Sequence, residues 1–265
     1  MEITRLSWAG IKVEVGDTRL AVDLLEDIGR LRPIMGEPRG PLFALPAGQA
    51  VDLAVVTHLH PDHYDPRALH TRLGPWGKVV CHREVRDKIT ADGLPVHALE
   101  LEEVLVHKDM SLTAVPAVDG FGDPQVSWVI EGGGRRIIHC GDTLWHGHWW
   151  RIRRKHGPFD AAFLCINGAV MTYPGLEPSG IPADMTAPQA AAAGRLLAAG
   201  FVCPIHYGTF NSAQYSETPD VEQAFLAAAS ERGVSVQIVS PGNFVNWNLR
   251  KRELEIAEQR LHGKD

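Results

Sequence analysis

A short stretch of the chain, T-H-L-H-P-D-H at residues 57–63, concentrates side chains that bind metals. Its metal-capable groups are His58, His60, Asp62 and His63. In an extended segment the side chains at i and i+2 point the same way, so His58 and His60 can approach one ion together, before the following proline turns the chain. Imidazole and carboxylate groups are ligands for Zn²⁺, Fe²⁺ and Mn²⁺. The spacing therefore predicts a metal site.

These residues follow an apolar strand, and strand and helix patterns alternate along the rest of the chain. Apolar or alternating runs between turn signals predict strands at Ile3–Ser7, Ile11–Val15, Arg19–Asp23, Leu53–Thr57, Val79–Cys81, Val96–Leu101, Ser111–Pro116, Val126–Glu131, Arg136–Cys140, Ala161–Ile166, Phe201–Ile205 and Val234–Val239. Apolar spacing predicts helices at Pro66–Arg72, Ala187–Ala199, Val221–Arg232 and Arg250–Leu261. Helices that intervene between clustered strands indicate an α/β or α+β arrangement with the helices outside the sheets. The two halves are similar, with no linker between them, which predicts one domain over residues 1–265.

Two long segments, Ile28–Ala50 and Val170–Asp184, are rich in glycine and proline and fit neither pattern. Connections of this length without secondary structure are uncommon, and they often cover a functional site. We expect both to act as lids. A surface excursion without structure is the alternative.

The sequence H-L-H-P-D-H resembles the H-x-H-x-D-H signature of metallo-β-lactamase-fold hydrolases. The resemblance implies further ligands in loops that follow later strands. One is Asp142, in I-I-H-C-G-D-T, whose carboxylate bridges two metals in that family. Another is His206, in F-V-C-P-I-H-Y-G-T-F. The fold implied is a four-layer αβ/βα sandwich.

Three further stretches resemble the branch of this family that contains the ascorbate-6-phosphate lactonases. They are I-N-G at Ile166–Gly168, D-M-T-A-P-Q-A-A at Asp184–Ala191, and P-I-H-Y-G-T-F. The resemblance covers nearly the whole chain and implies hydrolysis of a lactone. The ligands alone do not separate this reaction from phosphodiester hydrolysis on the same site. A metal-binding protein without hydrolytic turnover is a third hypothesis.

The chain departs from the family pattern at Asp119, in A-V-P-A-V-D-G, where the family has a histidine. Asp119 is interpreted as a ligand that shares one ion with His58 and His60, while Asp62, His63 and His206 hold the other and Asp142 bridges them. Two alternatives stay open: Asp119 binds only through water, or this metal position is lost. Added negative charge favours harder ions, so two divalent ions are expected, Mn²⁺ or Zn²⁺, with Fe²⁺ as a further candidate.

The predicted mechanism uses a hydroxide that bridges the two ions and attacks a carbonyl or phosphoryl centre. Asp62 is the predicted catalytic residue, because its carboxylate can orient the nucleophile or take its proton. An additional anionic ligand makes the bound water less acidic, so Asp119 is expected to move the activity optimum to higher pH.

Other side chains are candidates for contact with a small-molecule substrate. His146 is a candidate because it lies close to Asp142 in the sequence. The family resemblance supports Asn167 and Tyr207 as pocket residues. Packing roles are the alternative for all three. Three arginines in the first long segment could receive an anionic substrate, namely Arg30, Arg32 and Arg39.

Composition limits the remaining classes of function. The net charge of −6 argues against nucleic acid as the main partner, because phosphate binding needs a basic surface. No apolar run approaches the roughly 20 residues of a membrane span, and the first residues show no secretory signal. The four scattered cysteines suit buried thiols in a reducing compartment, so a cytoplasmic protein is expected. The predicted C-terminal helix is a candidate contact for a homo-oligomer.

Overall fold

The structure, a computed structural model, describes residues 1–248, so the helix predicted at Arg250–Leu261 lies outside the described residues. Two six-stranded sheets form the centre of the fold. The first contains, in spatial order, β1 (Glu2–Arg5), β2 (Ile11–Val15), β3 (Thr18–Val22), β4 (Val51–Val55), β5 (Leu73–His82) and β6 (Val96–Leu99). The second contains, in spatial order, β7 (Val104–His107), β8 (Met110–Pro116), β9 (Val126–Gly132), β10 (Arg135–His139), β11 (Ala161–Cys165) and β13 (Phe201–Ile205). The short strand β12 (Val170–Met171) precedes β13 in the chain but is not part of this sheet.

Helices cover the outer face of each sheet. They are α2 (Pro66–Arg72), α3 (Arg86–Ala91), α4 (Trp149–His156), α5 (Ala187–Leu196) and α6 (Val221–Glu231), with a 3₁₀ turn at Arg83–Val85. The short helix α1 (Arg32–Met35) lies in the first long segment and not on an outer face. A short ribbon pairs β12 with β14 (Tyr215–Ser216). Helix α2 begins where Asp65 Oδ1 accepts a hydrogen bond from Ala68 N, with Pro66 in its first turn.

Burial explains the layering. One apolar cluster lies between the two sheets, and two further clusters fill the space between each sheet and its helices. Strands of both sheets therefore bury both faces, which is why they appear as near-continuous apolar runs in the sequence. The arrangement confirms the predicted four-layer αβ/βα sandwich. Among residues 1–248, no helix combines the length and apolar character needed to cross a membrane.

Both sheets repeat one topology. In each, the first strands pair antiparallel and the last strands pair parallel. Strands β8, β10, β11 and β13 consequently run in the same direction. The carboxyl ends of such strands meet at one edge of a sheet, so the loops after them can combine their side chains.

One predicted strand is wrong. Within the predicted strand Val234–Val239, only Val236 forms a bridge, with Val202 of β13. Gln237 N still donates to Val202 O, and the Gln237 side chain exchanges two hydrogen bonds with the backbone of Asn246. The short strand β7 and the short helices α1 and α3 were not predicted from the sequence.

Both long segments lie over one pocket, as expected for lids. The first contributes Leu31, Ile34 and Met35 to the lining, and the second contributes Met171, Tyr173, Ala183 and Asp184. All four cysteines are free and buried, as their apolar surroundings predict.

Candidate metal centre

The metal-capable side chains predicted from sequence converge at the edge of the sandwich where the loops meet. The ligand atoms within each of two groups lie within 4.8 Å of one another. We call the first group the outer position; it comprises His58, His60, Asp119 and Asp142. We call the second the inner position; it comprises Asp62, His63 and His206. The structure thus brings together all seven of the residues that the sequence proposed as ligands.

Asp142 lies between the two positions. Its Oδ2 is 3.6 Å from His58 Nε2 in the outer position and 3.6 Å from His63 Nε2 in the inner one. It is also 3.9 Å from His206 Nε2. Gln125 Nε2 donates a 2.8 Å hydrogen bond to Asp142 Oδ1, which fixes the carboxylate and leaves Oδ2 directed at the histidines.

Two of these histidine nitrogens show that the site fits a cation. His58 Nε2 and His63 Nε2 are buried and have no hydrogen-bond partner. Buried polar atoms are almost always paired, and the 3.6 Å spacings to Asp142 are too long for hydrogen bonds. Side chains that coordinate the same ion show this arrangement, because each ligand atom points at the ion and not at another ligand atom.

The inner position has a buried carboxylate behind His63. Asp23 Oδ2 is 2.8 Å from His63 Nδ1, and both side chains are fully buried. Asp23 also accepts hydrogen bonds from Thr57 N and Thr57 Oγ1, so its orientation is fixed. A carboxylate on the far nitrogen orients a metal-binding imidazole and leaves its other nitrogen free for the metal.

His206, the other histidine of the inner position, is held from three sides. Its Nδ1 lies 3.6 Å from Asp184 Oδ2 and 3.5 Å from Asn167 Oδ1. Its ring centroid is 4.1 Å from that of Trp8, whose Nε1 donates to Asp62 Oδ2 at 3.0 Å. These contacts are made by residues that lie far from His206 in the sequence.

Backbone strain marks the same place. Trp8, Asp23 and His206 have φ angles of 57°, 45° and 60°, in the left-handed region that bulky residues seldom adopt. Such conformations persist only where the surroundings enforce them, and they concentrate at functional sites. His206 belongs to the inner position, and Trp8 and Asp23 contact its other members, Asp62 and His63. This concentration of strained residues agrees with a functional centre.

The outer position is more open. The side chain of His60 is 24% exposed, and its Nε2 lies 3.0 Å from Oδ2 of Asp123, whose side chain is 63% exposed. Asp119 Oδ1 accepts hydrogen bonds from the backbone N–H groups of Phe121 and Asp123. Its Oδ2 remains directed at His60 Nδ1, 3.6 Å away. The unexpected aspartate therefore presents one oxygen to the position where the family has a histidine nitrogen.

The pKa shifts of the histidines and aspartates indicate the charge that a bound cation would balance. Burial lowers the pKa of His58 to about 3, so its imidazole stays neutral and available as a ligand. Burial acts the same way on His63, but the carboxylates of Asp62, Asp142 and Asp23 outweigh it and raise the pKa well above the usual value. Burial, together with the charge of Asp142, raises the pKa of Asp119. Without a cation, protonated His63 is thus the group that offsets part of the carboxylate charge around it.

The pocket above these ligands is lined mainly by apolar and aromatic side chains from the two lids. None of the lining residues is lysine or arginine. Arg32 pairs with Glu37, Arg39 N donates to Thr209 O, and Arg30 lies by a separate surface cavity. The three arginines considered for an anionic substrate therefore lie outside this pocket.

The structure places two of the predicted substrate contacts elsewhere. The ring of His146 stacks on Trp149 with centroids 4.1 Å apart, because α4 turns this aromatic-rich stretch inward against the core. The hydroxyl of Tyr207 donates to Glu222 and lines a different cavity, on the other side of Trp8. Neither residue lines the pocket over the ligands.

Asn167 has a supporting position rather than a lining one. Its Nδ2 donates to the Tyr215 hydroxyl, and its Oδ1 faces His206. Sequence reasoning missed Trp8, Asp23, Asp184 and Tyr173, which surround the ligands. The one available signal was Asp23, a charged residue at the end of an apolar strand.

A two-sheet sandwich with a histidine and aspartate centre at its edge defines the metallo-β-lactamase fold. Residues 19–207 match the family model described as the beta-lactamase superfamily domain, which is more than half of the chain. The chain therefore belongs to the beta-lactamase superfamily.

Relatives and solved structures agree with this assignment. The chain is 28% identical over 253 residues to a protein of Thermus thermophilus named UPF0173 metal-dependent hydrolase, covering 91% of this chain and 97% of the relative. Igni18, described as a novel metallo hydrolase from Ignicoccus hospitalis, is similar with a TM-score of 0.66 and 20% identity, covering 92% and 97% of the two chains. An isothiocyanate hydrolase from Delia radicum gut bacteria gives a TM-score of 0.74 and 16% identity, covering 93% and 99%. At these identities the two structures show the fold alone.

Proposed function

We propose that the protein is a metal-dependent hydrolase that holds two divalent ions and cleaves an ester-type bond, most directly that of a lactone. The observation that carries this proposal is the pair of neighbouring ligand groups, with Asp142 Oδ2 3.6 Å from the unpartnered Nε2 atoms of both His58 and His63. The name of the Thermus thermophilus relative, metal-dependent hydrolase, supports the same class.

The seven side chains fit two ions. His58, His60 and Asp119 would hold one, Asp62, His63 and His206 would hold the other, and Asp142 lies close enough to both groups to contribute to each. The outer set offers as many carboxylates as imidazoles, which suits Mn²⁺ or Fe²⁺ alongside Zn²⁺. When bound, such ions lower the pKa of a coordinated water and polarise a substrate oxygen.

Asp62 is the residue that orients the attacking water in this proposal. Trp8 Nε1 and His206 Nε2 hold its Oδ2 at 3.0 and 3.2 Å. Burial raises the pKa of Asp62, but the neighbouring His63 and His206 outweigh burial and lower the pKa to well below the usual value. The carboxylate is therefore ionised, and it would accept a hydrogen bond from the attacking water and orient it.

The lactone assignment is supported by the resemblance of the loops around Asn167, Asp184 and His206 to the lactonase branch. Phosphodiester hydrolysis remains the second candidate on the same ligands, although the absence of arginine and lysine from the pocket lining weakens it.

The test is turnover of a lactone and of a bis-aryl phosphodiester by the purified protein, after metal removal and reloading with Mn²⁺ or Zn²⁺. We expect lactone hydrolysis that depends on added metal and is lost in Asp62→Asn. Full metal occupancy with neither substrate cleaved would instead support a binding protein without turnover.

A further inference from the structure

We propose that the pocket over the metal ligands selects an uncharged ester-type substrate whose apolar chain lies between the two lids and against Phe121. This proposal rests on the proposed function, because it names the substrate class of the same site. It differs from the anionic substrate considered from the sequence.

The walls of the pocket are the first line of support. Leu31, Ile34 and Met35 come from one lid, and Met171 and Tyr173 from the other. Every charged side chain in the lining is a histidine or an aspartate at the base. An apolar chain loses water-exposed surface against such walls, whereas a charged group would lose its hydration without a partner.

The acidic base of the pocket also favours an uncharged substrate over an anionic one. Four aspartates line the pocket, namely Asp62, Asp119, Asp142 and Asp184. These carboxyl groups give an anionic substituent no favourable partner at the base of the pocket. Binding of a phosphate or carboxylate group normally uses arginine or lysine, and the lining has neither.

Phe121 joins the metal ligands to the mouth of the pocket. Its ring lies 5.9 Å from that of His60 and 5.2 Å from that of Tyr173, in edge-to-face geometry with each. It is 42% exposed. An aromatic side chain that touches a metal ligand on one side and solvent on the other is placed to contact a chain that leaves the centre.

Exposed apolar residues continue outward from this point. The second lid carries Leu176 and Ile181, with 58% and 68% of their surfaces exposed. The same lid supplies Met171 and Tyr173 to the pocket. Exposed large apolar side chains beside a pocket mark a surface for an apolar ligand. Tyr173 adds no charge, because burial and the nearby carboxylates raise its pKa to about 12.

The test measures binding separately from turnover. γ-Lactams, which resist hydrolysis, are titrated into the purified protein by isothermal titration calorimetry, with ethyl, hexyl or decyl chains. We expect affinity to increase by up to about fourfold per buried methylene. A decyl analogue that ends in a carboxylate and a phosphorylated analogue are expected to bind at least tenfold more weakly than the hexyl compound.

Two variants locate the chain. Phe121→Ala is expected to weaken binding of the decyl lactam roughly tenfold, with partial recovery in Phe121→Leu. Trp76→Ala is the matched control, because Trp76 is an aromatic residue that is 93% exposed and does not line the pocket; its affinity should equal that of the wild type.

Affinity that is independent of chain length, or equal for charged and uncharged analogues, would overturn the substrate class. Equal losses in Phe121→Ala and Trp76→Ala would overturn the assigned location. Failure of the proposed function is a separate result: the lactams bind with the expected chain dependence, yet no lactone is hydrolysed at full metal occupancy.

Discussion

The inner and outer positions use the same types of ligand but differ in what stands behind their histidines. In the inner position, His63 and His206 face the buried carboxylates of Asp23 and Asp184. In the outer position, His60 faces Asp123, which is mostly exposed to solvent. All three inner ligands are buried, whereas the outer group includes two half-buried ones.

The difference should affect how tightly each position binds a metal ion. A hydrogen-bonded carboxylate in a buried, low-dielectric setting fixes an imidazole, whereas an exposed one is weakened by water and salt. We therefore expect the inner position to bind metal more tightly. The outer position, with Asp119 in place of a histidine, is expected to determine which metal is held and at what pH the protein works best.

The largest effect is expected from the group common to both positions. Asp142→Asn removes the anionic oxygen that lies within 4 Å of His58, His63 and His206. Metal content should fall at both positions, and hydrolysis should fall by roughly a hundred- to a thousandfold. Metal analysis with steady-state kinetics measures both. Loss of a single ion with activity retained would show that Asp142 belongs to one position only.

A matched pair of substitutions tests the contrast between buried and exposed support. Asp23→Asn places an amide where His63 and Thr57 both need an acceptor, so metal affinity should fall about 10- to 100-fold. Asp123→Asn makes the same change behind His60, where exposure limits the loss to about threefold or less. Affinity is measured by competition with a chromogenic chelator, with circular dichroism as the check on folding. Equal losses would remove the distinction between the positions.

The aspartate of the outer position should control the pH dependence. Asp119→His removes a negative charge beside His60, so the rising limb of the pH–rate profile should move to lower pH by on the order of one unit. Asp87→His, which makes the same change at an exposed position of α3, serves as the control. An unchanged profile in Asp119→His would show that Asp119 does not contact the reacting centre.

Metal removal should reverse the effect of pH on stability. Without metal, protonated His63 offsets the surrounding carboxylates, and its pKa is raised well above 6.5. That stabilisation is present below pH 6.5 and is lost as the pH rises through the raised pKa. The melting temperature of the metal-free protein should therefore fall by about 5 °C over this interval, while that of the loaded protein is maintained or increases. Parallel curves for the two forms would contradict this account of the site.

The sequence predicts the ligands better than it predicts their surroundings. The residue types and spacing of the H-x-H-x-D-H motif indicate a metal site, and the family resemblance identifies Asp142 and His206 as further ligands. Trp8 carries no such local signal, because its role arises only when separate strands and loops pack together.

The orientation of other side chains could not be predicted from the sequence, for a similar reason. His146 and Tyr207 lie within four residues of ligands in the sequence, yet their side chains turn toward Trp149 and Glu222. Tyr173, which does line the pocket, lies in a long segment without periodicity. The fold class followed from strand and helix patterns, whereas the strand predicted at Val234–Val239 forms a single bridge, at Val236.

The central claim is that one carboxylate joins two metal positions of unequal strength, with Asp119 in the weaker one. Anomalous X-ray diffraction from crystals loaded with Mn²⁺ measures this directly. The account predicts two peaks beside Asp142 in the wild-type protein and only the inner peak in Asp119→Ala. Two full peaks in Asp119→Ala, or a single peak in the wild type, would contradict it.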